Sequence, residues 1–201
     1  MSDPVGDAAT AAMSGRLIVI PTDTVYGIGT RPDDAAATAA LFEAKGRPRD
    51  LSVAVLVPSA ASAREVAAFD ERAEALSARF WPGPLTLVLP RTEASRRWDL
   101  GRDARTIGVR VPHHPLALAV LAITGPLAVT SANRTGDATA RECDGLARAF
   151  GARVAVYLCQ DEPLEGTAST VVDLTEEELR VLRPGSLGEA ELRTALEPLE
   201  A

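Results

Sequence analysis

Three short apolar segments rich in β-branched residues, each followed directly by a proline, constrain the fold of this 201-residue chain most strongly. They are Arg16 to Ile20, Ser52 to Val57 and Ile107 to Val111. Because proline has no N–H to give to a neighbouring strand, each segment predicts a buried strand that ends in a loop. An Ala-rich helix is predicted over 33–44, with Gly46 just beyond its end. This order predicts an α/β or α+β domain with a mixed sheet and packed helices.

Further segments continue the alternation of strands and helices. A helix capped by aspartate is predicted over 70–80, and Thr139 and Glu142 have the spacing of a capping box for a helix through Phe150. The charged stretch 91–105 lacks periodicity and is predicted to be a solvated loop. Further strands are predicted over 85–89, 127–130, 153–158, 169–174 and 179–182, and further helices over 62–69, 115–124 and 189–196.

The chain contains no repeat period and no low-complexity linker, which predicts a single domain over residues 1–201. Residues 1–14 are expected to form a flexible N-terminus, and residues 188–201 an acidic helical tail. Cys143 and Cys159 have neither a CxxC nor a Cys/His spacing. Buried free thiols are therefore expected, rather than a metal site or a disulfide.

The cytoplasm is the expected compartment, and no membrane partner is expected. Met1 to Ser14 lacks the basic start and apolar centre of a signal peptide. The longest apolar run, 116–129, is interrupted at Gly125 and Pro126 and is too short to span a bilayer.

Net charge separates the tail from the rest of the protein. The chain has 21 Lys plus Arg and 28 Asp plus Glu, a formal charge of −7. Residues 173–201 hold eight of the acids and three arginines, −5 of that total, which leaves −2 for the rest. Proteins that bind nucleic acid tightly through a broad basic face usually carry positive charge. tRNA is therefore expected to bind only weakly or indirectly, while a small anionic substrate in a local basic pocket remains open.

Common catalytic signatures such as GxxxxGK[ST], GxSxG, HExxH and GxGxxG are absent from the sequence. Polar and cationic groups instead follow the predicted strands, where ligands of α/β sheets usually bind. Each has a structural alternative: a turn or helix cap, a solvated helix end, or, for the arginine inside the apolar strand 107–111, an internal salt bridge. These segments are 21–24, 45–49, Arg110, 130–136, 166–170 and Arg183. Without a nucleophile and base pair, such a pocket favours catalysis by positioning substrates and neutralising phosphate charge.

Seven segments, in this order along the chain, resemble the threonylcarbamoyl-AMP synthase family, also called YrdC-like or TsaC-like. The resemblance extends from about Ser14 to Gly188 and fits the short, single-domain type. The segments are PTDTVYGIGT (21–30), FEAKGRPRD (42–50), FWPGPLTLVLP (80–90), IGVRVPHHP (107–115), AVTSANRTGD (128–137), STVVDLT (169–175) and VLRPG (181–185).

The resemblance implies a YrdC-like twisted mixed sheet with packed helices and a concave basic groove. It also implies that L-threonine, bicarbonate and ATP are converted to threonylcarbamoyl-AMP and pyrophosphate. Separate transfer proteins would pass the threonylcarbamoyl group to an adenosine of certain tRNAs. ATP is then a substrate rather than a resident cofactor. Mg²⁺ is expected around its phosphates, without a direct protein ligand.

Site residues are implied position by position. Lys45 and Arg47 match the KxR pair that faces the ATP phosphates and would be the catalytic cations. Ser131 and Asn133 match the SxN motif of the nucleotide site. The remaining implied residues are Thr106, Thr139 and Arg183 for ATP, and Thr24, Arg110 and Ser169 for threonine.

Two departures and two alternatives accompany the resemblance. Leu51 and Leu56 stand where many members have Asn and a polar residue such as His, which affects one wall of the threonine site. Longer members also carry a second C-terminal domain. The alternatives are a non-catalytic YrdC-like RNA-binding module and an enzyme that forms a carbamoyl-adenylate from carbamoyl phosphate.

Overall fold

The computed structural model describes residues 3–164 and 166–197. Within these ranges, nine strands form one mixed sheet and seven α-helices accompany it. The strands are β1 (Leu17–Ile20), β2 (Gly27–Thr30), β3 (Ala54–Leu56), β4 (Leu85–Pro90), β5 (Thr106–Arg110), β6 (Leu127–Ser131), β7 (Val154–Tyr157), β8 (Thr170–Asp173) and β9 (Arg180–Arg183). The helices are α1 (Pro4–Met13), α2 (Ala35–Lys45), α3 (Ala60–Val66), α4 (Glu71–Phe80), α5 (Pro115–Thr124), α6 (Cys143–Phe150) and α7 (Glu189–Thr194).

The strand order across the sheet is β7-β1-β2-β6-β3-β5-β4-β8-β9. Three pairs are parallel (β1 with β7, β3 with β5, β4 with β8), and the others are antiparallel. The predicted mixed sheet with packed helices is confirmed. Among the described residues, no helix has both the length and the apolar character needed to cross a bilayer.

Helices cover the two faces of the sheet unequally. On one face the larger core cluster unites Leu87, Val109 and Val172 with residues of α2, α3, α4, α6 and α7. On the other face, α1 and α5 pack their Ala, Val and Leu side chains against Leu56, Val129 and neighbouring strand residues. Leu56 and Val129 also line an open groove. The groove is therefore the part of this second face that α1 and α5 leave uncovered.

Local chemistry explains the helix that leads into the site. Asp34 caps α2 by accepting hydrogen bonds from the N–H groups of Ala36 and Ala37. At the other end Gly46 has φ 58°, the left-handed conformation that terminates many helices. The chain therefore turns sharply between Lys45 and Arg47.

One expectation for the N-terminal part of the chain is wrong, and one strand there was not predicted. Residues 4–13 form helix α1 rather than a flexible segment, because Ala8, Ala9, Ala11 and Ala12 bury a small-residue face. The segment 27–30 forms strand β2, which is not among the predicted strands. Its low strand propensity is outweighed by antiparallel pairing with both β1 and β6.

Two further local expectations are corrected. The stretch 91–105 is anchored rather than fully solvated, because the Arg91 guanidinium donates to the carbonyls of Ser95, Trp98, Asp103 and Thr106. Helix α6 begins at Cys143, with Glu142 as its N-cap residue and no side-chain capping bond. The predicted capping box is therefore absent, and the Thr139 hydroxyl bonds elsewhere.

The cysteines are also not the buried free thiols that were expected. Cys143 and Cys159 are half-buried and form a disulfide, with a Cα–Cα distance of 5.9 Å. That separation lies within the usual range for disulfides. The bond joins the start of α6 to the residues that follow β7.

Candidate active site

A groove of about 740 Å³ lies over the uncovered part of the sheet. Its floor comes from groove-facing residues of β3, β5, β4 and β8, among them Ala54, Gly108, Val88 and Val171. Every predicted site residue except Lys45 lines it. These are Thr24, Arg47, Thr106, Arg110, Ser131, Asn133, Thr139, Ser169 and Arg183.

Asn133 organises one wall of the groove. Its Oδ1 accepts hydrogen bonds from the Ser131 hydroxyl at 2.6 Å, the Lys45 ammonium at 3.2 Å and the Thr139 hydroxyl at 3.3 Å. Its amide nitrogen donates to the carbonyls of Arg134 and Asp137. One side chain therefore fixes the loop after β6 and ties it to the end of α2.

Lys45 lies behind this loop and does not line the groove directly. It is only 2% exposed, and its Nζ donates to the Ser131 carbonyl at 2.6 Å. Burial, and to a smaller extent the charge of Arg47, lowers the pKa of Lys45 to about 8. Among the described residues, no carboxylate lies within 4.0 Å of its ammonium. A buried cation without a carboxylate is costly, and an anionic ligand nearby would stabilise it.

Two arginines extend the positive charge along the groove. Arg47 donates to the carbonyls of Leu51 and Ser52, and Arg183 donates to the carbonyl and hydroxyl of Ser169. Burial and the charge of Arg183 lower the pKa of Arg47, which places the two guanidiniums in one electrostatic environment. Within the described ranges, neither pairs with a carboxylate. This end of the groove is suited to a polyanion.

Arg110, which also lines the groove, forms a buried ion pair with Asp23. Burial, and to a smaller extent the charge of Arg183, lowers the pKa of Arg110, so the two arginines lie close together. The Arg110 Nη2 donates to Asp23 Oδ1 at 2.6 Å, its Nη1 to the Thr24 hydroxyl at 3.0 Å, and its Nε to the Gly83 carbonyl at 2.9 Å. Arg110 is 5% exposed. The two roles that the sequence leaves open for Arg110, an internal salt bridge and a ligand site, are therefore compatible. Three of five N–H groups are used, which leaves one on each terminal nitrogen for a carboxylate.

Hydroxyl groups surround this guanidinium. The Thr22 hydroxyl donates to the Val25 carbonyl at 2.6 Å and lies 3.0 Å from the Thr24 hydroxyl. On the other wall, the hydroxyls of Ser169 and Thr86 lie 2.9 Å apart. Because Arg183 also bonds Ser169, it links this polar pocket to the cationic end of the groove.

Thr106 lines another part of the groove. Its hydroxyl donates to Asp103 Oδ2 at 3.1 Å, and its carbonyl accepts from Arg91. Hydrogen bonds from the Arg105 N–H, and then from the Thr106 hydroxyl, lower the pKa of Asp103 against the effect of its burial. Through Arg91, the loop 91–105 holds this edge of the groove in place.

Comparison with known proteins identifies the family. The family model for Sua5, YciO and YrdC proteins, described as "Telomere recombination", matches residues 10–185. This chain belongs to the Sua5/YciO/YrdC family.

Named relatives of this Sua5/YciO/YrdC chain agree with that assignment. A Mycobacterium leprae protein provisionally named threonylcarbamoyl-AMP synthase is 43% identical over 193 residues, 96% of this chain and 87% of the relative. A Pyrococcus abyssi protein named threonylcarbamoyl-AMP synthase is 39% identical over 182 residues, 90% of this chain and 53% of the relative.

A solved structure shows the same fold. The crystal structure of P. abyssi Sua5 complexed with L-threonine superimposes with a TM-score of 0.87 at 35% identity, covering 96% of this chain and 57% of that one. The chain thus spans just over half the length of the Pyrococcus protein. The predicted YrdC-like fold class is confirmed.

Sequence reasoning missed three residues at the site of this Sua5/YciO/YrdC chain: Asp23, which pairs with Arg110, and the groove residues Thr86 and Gly108. Asp23 was noted only as one of several oxygens after β1, and its pairing with Arg110 spans 87 positions. Thr86 and Gly108 sit on the groove face of β4 and β5. Strand alternation places Gly108 on the same face as Arg110, which is the signal that was available.

Metal ligands were also sought in the groove. In the part of the chain that the structure describes, no group of three His, Cys, Asp or Glu side chains forms a metal site. The groove acids Asp103 and Asp173 are both engaged, the latter by the hydroxyl and N–H of Thr175.

Proposed function

We propose that this chain is a threonylcarbamoyl-AMP synthase that converts L-threonine, bicarbonate and ATP to threonylcarbamoyl-AMP and pyrophosphate. One observation carries this proposal: a single groove contains both the buried guanidinium of Arg110 and a cationic end formed by Arg47 and Arg183. The names of the relatives support the same reaction.

Arg110, Thr24 and Ser169 would bind threonine. The two remaining N–H groups of Arg110 match a bidentate carboxylate, and the Asp23 pair fixes the plane of the guanidinium. The neighbouring hydroxyls would orient the rest of the amino acid. Leu56 pairs in register with Arg110, so this wall of the pocket is apolar where many family members are polar.

Arg47 and Arg183 would hold the ATP phosphates, with Thr106, Ser131, Asn133 and Thr139 completing the nucleotide site. Lys45 would add charge from behind the loop and hold Asn133 in position. Mg²⁺ would enter with the triphosphate and supply charge neutralisation there.

The chemical step then needs no protein nucleophile. A carbamate forms from the threonine amine and bicarbonate or carbon dioxide, and its oxygen attacks the α-phosphate in line while pyrophosphate leaves. The protein contributes position and electrostatic stabilisation. We propose that the product passes in the cytoplasm to threonylcarbamoyl transfer proteins, with tRNA contacted weakly or indirectly.

Pyrophosphate release from ATP by the purified chain tests the function. We expect release only when both L-threonine and bicarbonate are present. Release that does not depend on threonine would contradict the proposal. Carbamoyl phosphate in place of threonine and bicarbonate would reveal a carbamoyl-adenylate-forming enzyme. Tight tRNA binding at moderate salt without ATP binding would indicate the RNA-binding module.

The pH dependence of ATP use follows from Lys45. Its ammonium is cationic below its pKa of about 8, so we expect kcat/KM for ATP to fall about tenfold per pH unit above that value. Stability changes in the opposite direction. Because burial lowers the pKa of Lys45 from 10.5 to about 8, the charged lysine destabilises the folded state, and this cost is relieved as the pH rises from 8 to 10.5. Initial rates and thermal unfolding, measured across pH 6.5 to 9.5, separate the two effects. A flat kcat/KM profile in that range would contradict this role of Lys45.

A further inference from the structure

Gly108 lies in the middle of β5, between two proposed substrate-binding residues. Thr106 and Arg110 are two positions away on either side and face the same groove, so each Cα is about 7 Å from that of Gly108. Glycine weakens the interior of a strand, because it loses more conformational freedom on folding and packs no side chain. Its presence here therefore requires a physical reason.

The backbone of Gly108 does not supply one. Gly108 is not among the described glycines with positive φ, and it pairs regularly with Val88 of β4. Any residue can adopt this conformation.

Packing does not supply a reason either. A Cβ added to Gly108 would meet Ala54 Cβ and Thr86 Cγ2, both at 3.5 Å, which is ordinary van der Waals contact. The two glycines of β2 behave differently, since a Cβ on Gly27 or Gly29 would come within 2.5 Å of Val129 Cγ1 or 2.6 Å of the Ala128 carbonyl. Those two are required by their neighbours, and Gly108 is not.

The space above Gly108 is open groove. Gly108 and Ala54 are both half-exposed and line the groove. They are the two smallest residues of the floor, and they lie next to each other. A strand glycine without a backbone or packing reason indicates that a ligand approaches the main chain closely.

We propose that Gly108 is a positioning residue, whose bare backbone forms the floor beneath the junction of the two substrates. This rests on the proposed function: threonine held at Arg110 and the nucleotide near Thr106 must meet between them. At the junction a bond forms between the carbamate oxygen and the α-phosphorus. The bond from that phosphorus to the β-phosphate oxygen breaks, and its electron pair leaves with pyrophosphate. A side chain at position 108 would separate the reacting atoms.

Gly108→Ala and Gly108→Val test this inference, with Gly188→Ala as the matched control. Gly188 lies outside the groove with φ −76°, and a Cβ there would meet nothing within 4 Å. We expect Gly108→Ala to keep or raise the melting temperature, because alanine restricts the unfolded chain. Its affinities for threonine alone and ATP alone stay within about threefold, while kcat for pyrophosphate release falls about 100-fold, the effect of a small misplacement of reacting groups. The valine variant loses more kcat. The control keeps both affinities and kcat, although alanine at the N-cap of α7 can lower its melting temperature slightly.

Simultaneous binding gives a second readout that needs no turnover. In the wild-type protein, threonine and bicarbonate are titrated at saturating α,β-methylene-ATP; Gly108→Ala is expected to weaken this joint binding about tenfold or more. An inactive wild-type protein would contradict the proposed function, and this titration would still decide the role of Gly108. The inference fails if Gly108→Ala keeps joint binding and kcat within threefold. It fails equally if the variant loses stability or loses threonine binding alone, since Gly108 would then serve packing or one subsite.

Discussion

Lys45→Met is expected to lower kcat/KM for ATP about 1,000-fold while the protein stays folded. Methionine retains the apolar stem of the lysine and removes a cation that is 2% exposed and has no carboxylate partner among the described residues. The expected loss combines two effects. Hydrogen bonds from a charged donor contribute about 1.5 to 3 kcal/mol each, and removing one preorganised charge from a transition state costs about 100-fold to 1,000-fold. Pyrophosphate release at varied ATP concentration measures it.

Arg49→Met is the matched control for Lys45. Arg49 belongs to the same KGRPR segment, but it is exposed and pairs with Asp99 at 2.7 Å. Exposed ion pairs contribute little, so this variant is expected to keep wild-type kinetics. Lys45→Arg is expected to stay impaired, because a planar guanidinium does not reproduce the compact ammonium between the Ser131 carbonyl and Asn133 Oδ1. Near-normal kcat/KM in Lys45→Met would remove Lys45 from the ATP site.

Local sequence patterns were sufficient to predict the elements that a proline or a glycine terminates. Strands β1, β3 and β5 lie close to the predicted segments that prolines follow, and α2 ends at the predicted Gly46. β2 was missed because its stability comes from pairing with β1 and β6, which sequence windows do not contain.

Local patterns failed where a tertiary partner competed for the same group. Thr139 and Glu142 have capping-box spacing, yet the Thr139 hydroxyl bonds Asn133, and α6 starts without that cap. Disulfide pairing of Cys143 with Cys159 likewise depends on how the chain brings α6 near the end of β7.

The site was predictable in composition but not in arrangement. Strand ends and the seven family segments indicated the residues that line the groove. They did not indicate that Lys45 lies behind the loop after β6, nor that Asn133 receives three donors. Those facts depend on contacts across 86 and 88 positions for Lys45. Side chains from distant segments meet only after the sheet order is set.

Arg110→Met is expected to abolish threonine-dependent pyrophosphate release and to lower the free energy of unfolding. The variant removes the guanidinium that we propose binds the threonine carboxylate, and it leaves the largely buried Asp23 carboxylate without its cation. Breaking a buried ion pair from one side costs about 3 to 5 kcal/mol. The Asp23 carboxylate keeps one hydrogen bond, from the His113 N–H at 2.8 Å, which is too little to compensate for the lost charge. Urea unfolding and initial rates at saturating ATP measure the two effects.

The double variant Asp23→Asn/Arg110→Met separates substrate binding from stability. Asparagine retains a side-chain oxygen for the His113 N–H and removes the uncompensated charge, so most of the lost stability is expected to return. Activity is not expected to return, because no guanidinium remains to bind the threonine carboxylate. Asp23→Asn alone keeps Arg110 but loosens its orientation, and it is expected to raise KM for threonine about tenfold while KM for ATP stays unchanged. Recovery of threonine-dependent turnover in the double variant would show that Arg110 serves the fold alone.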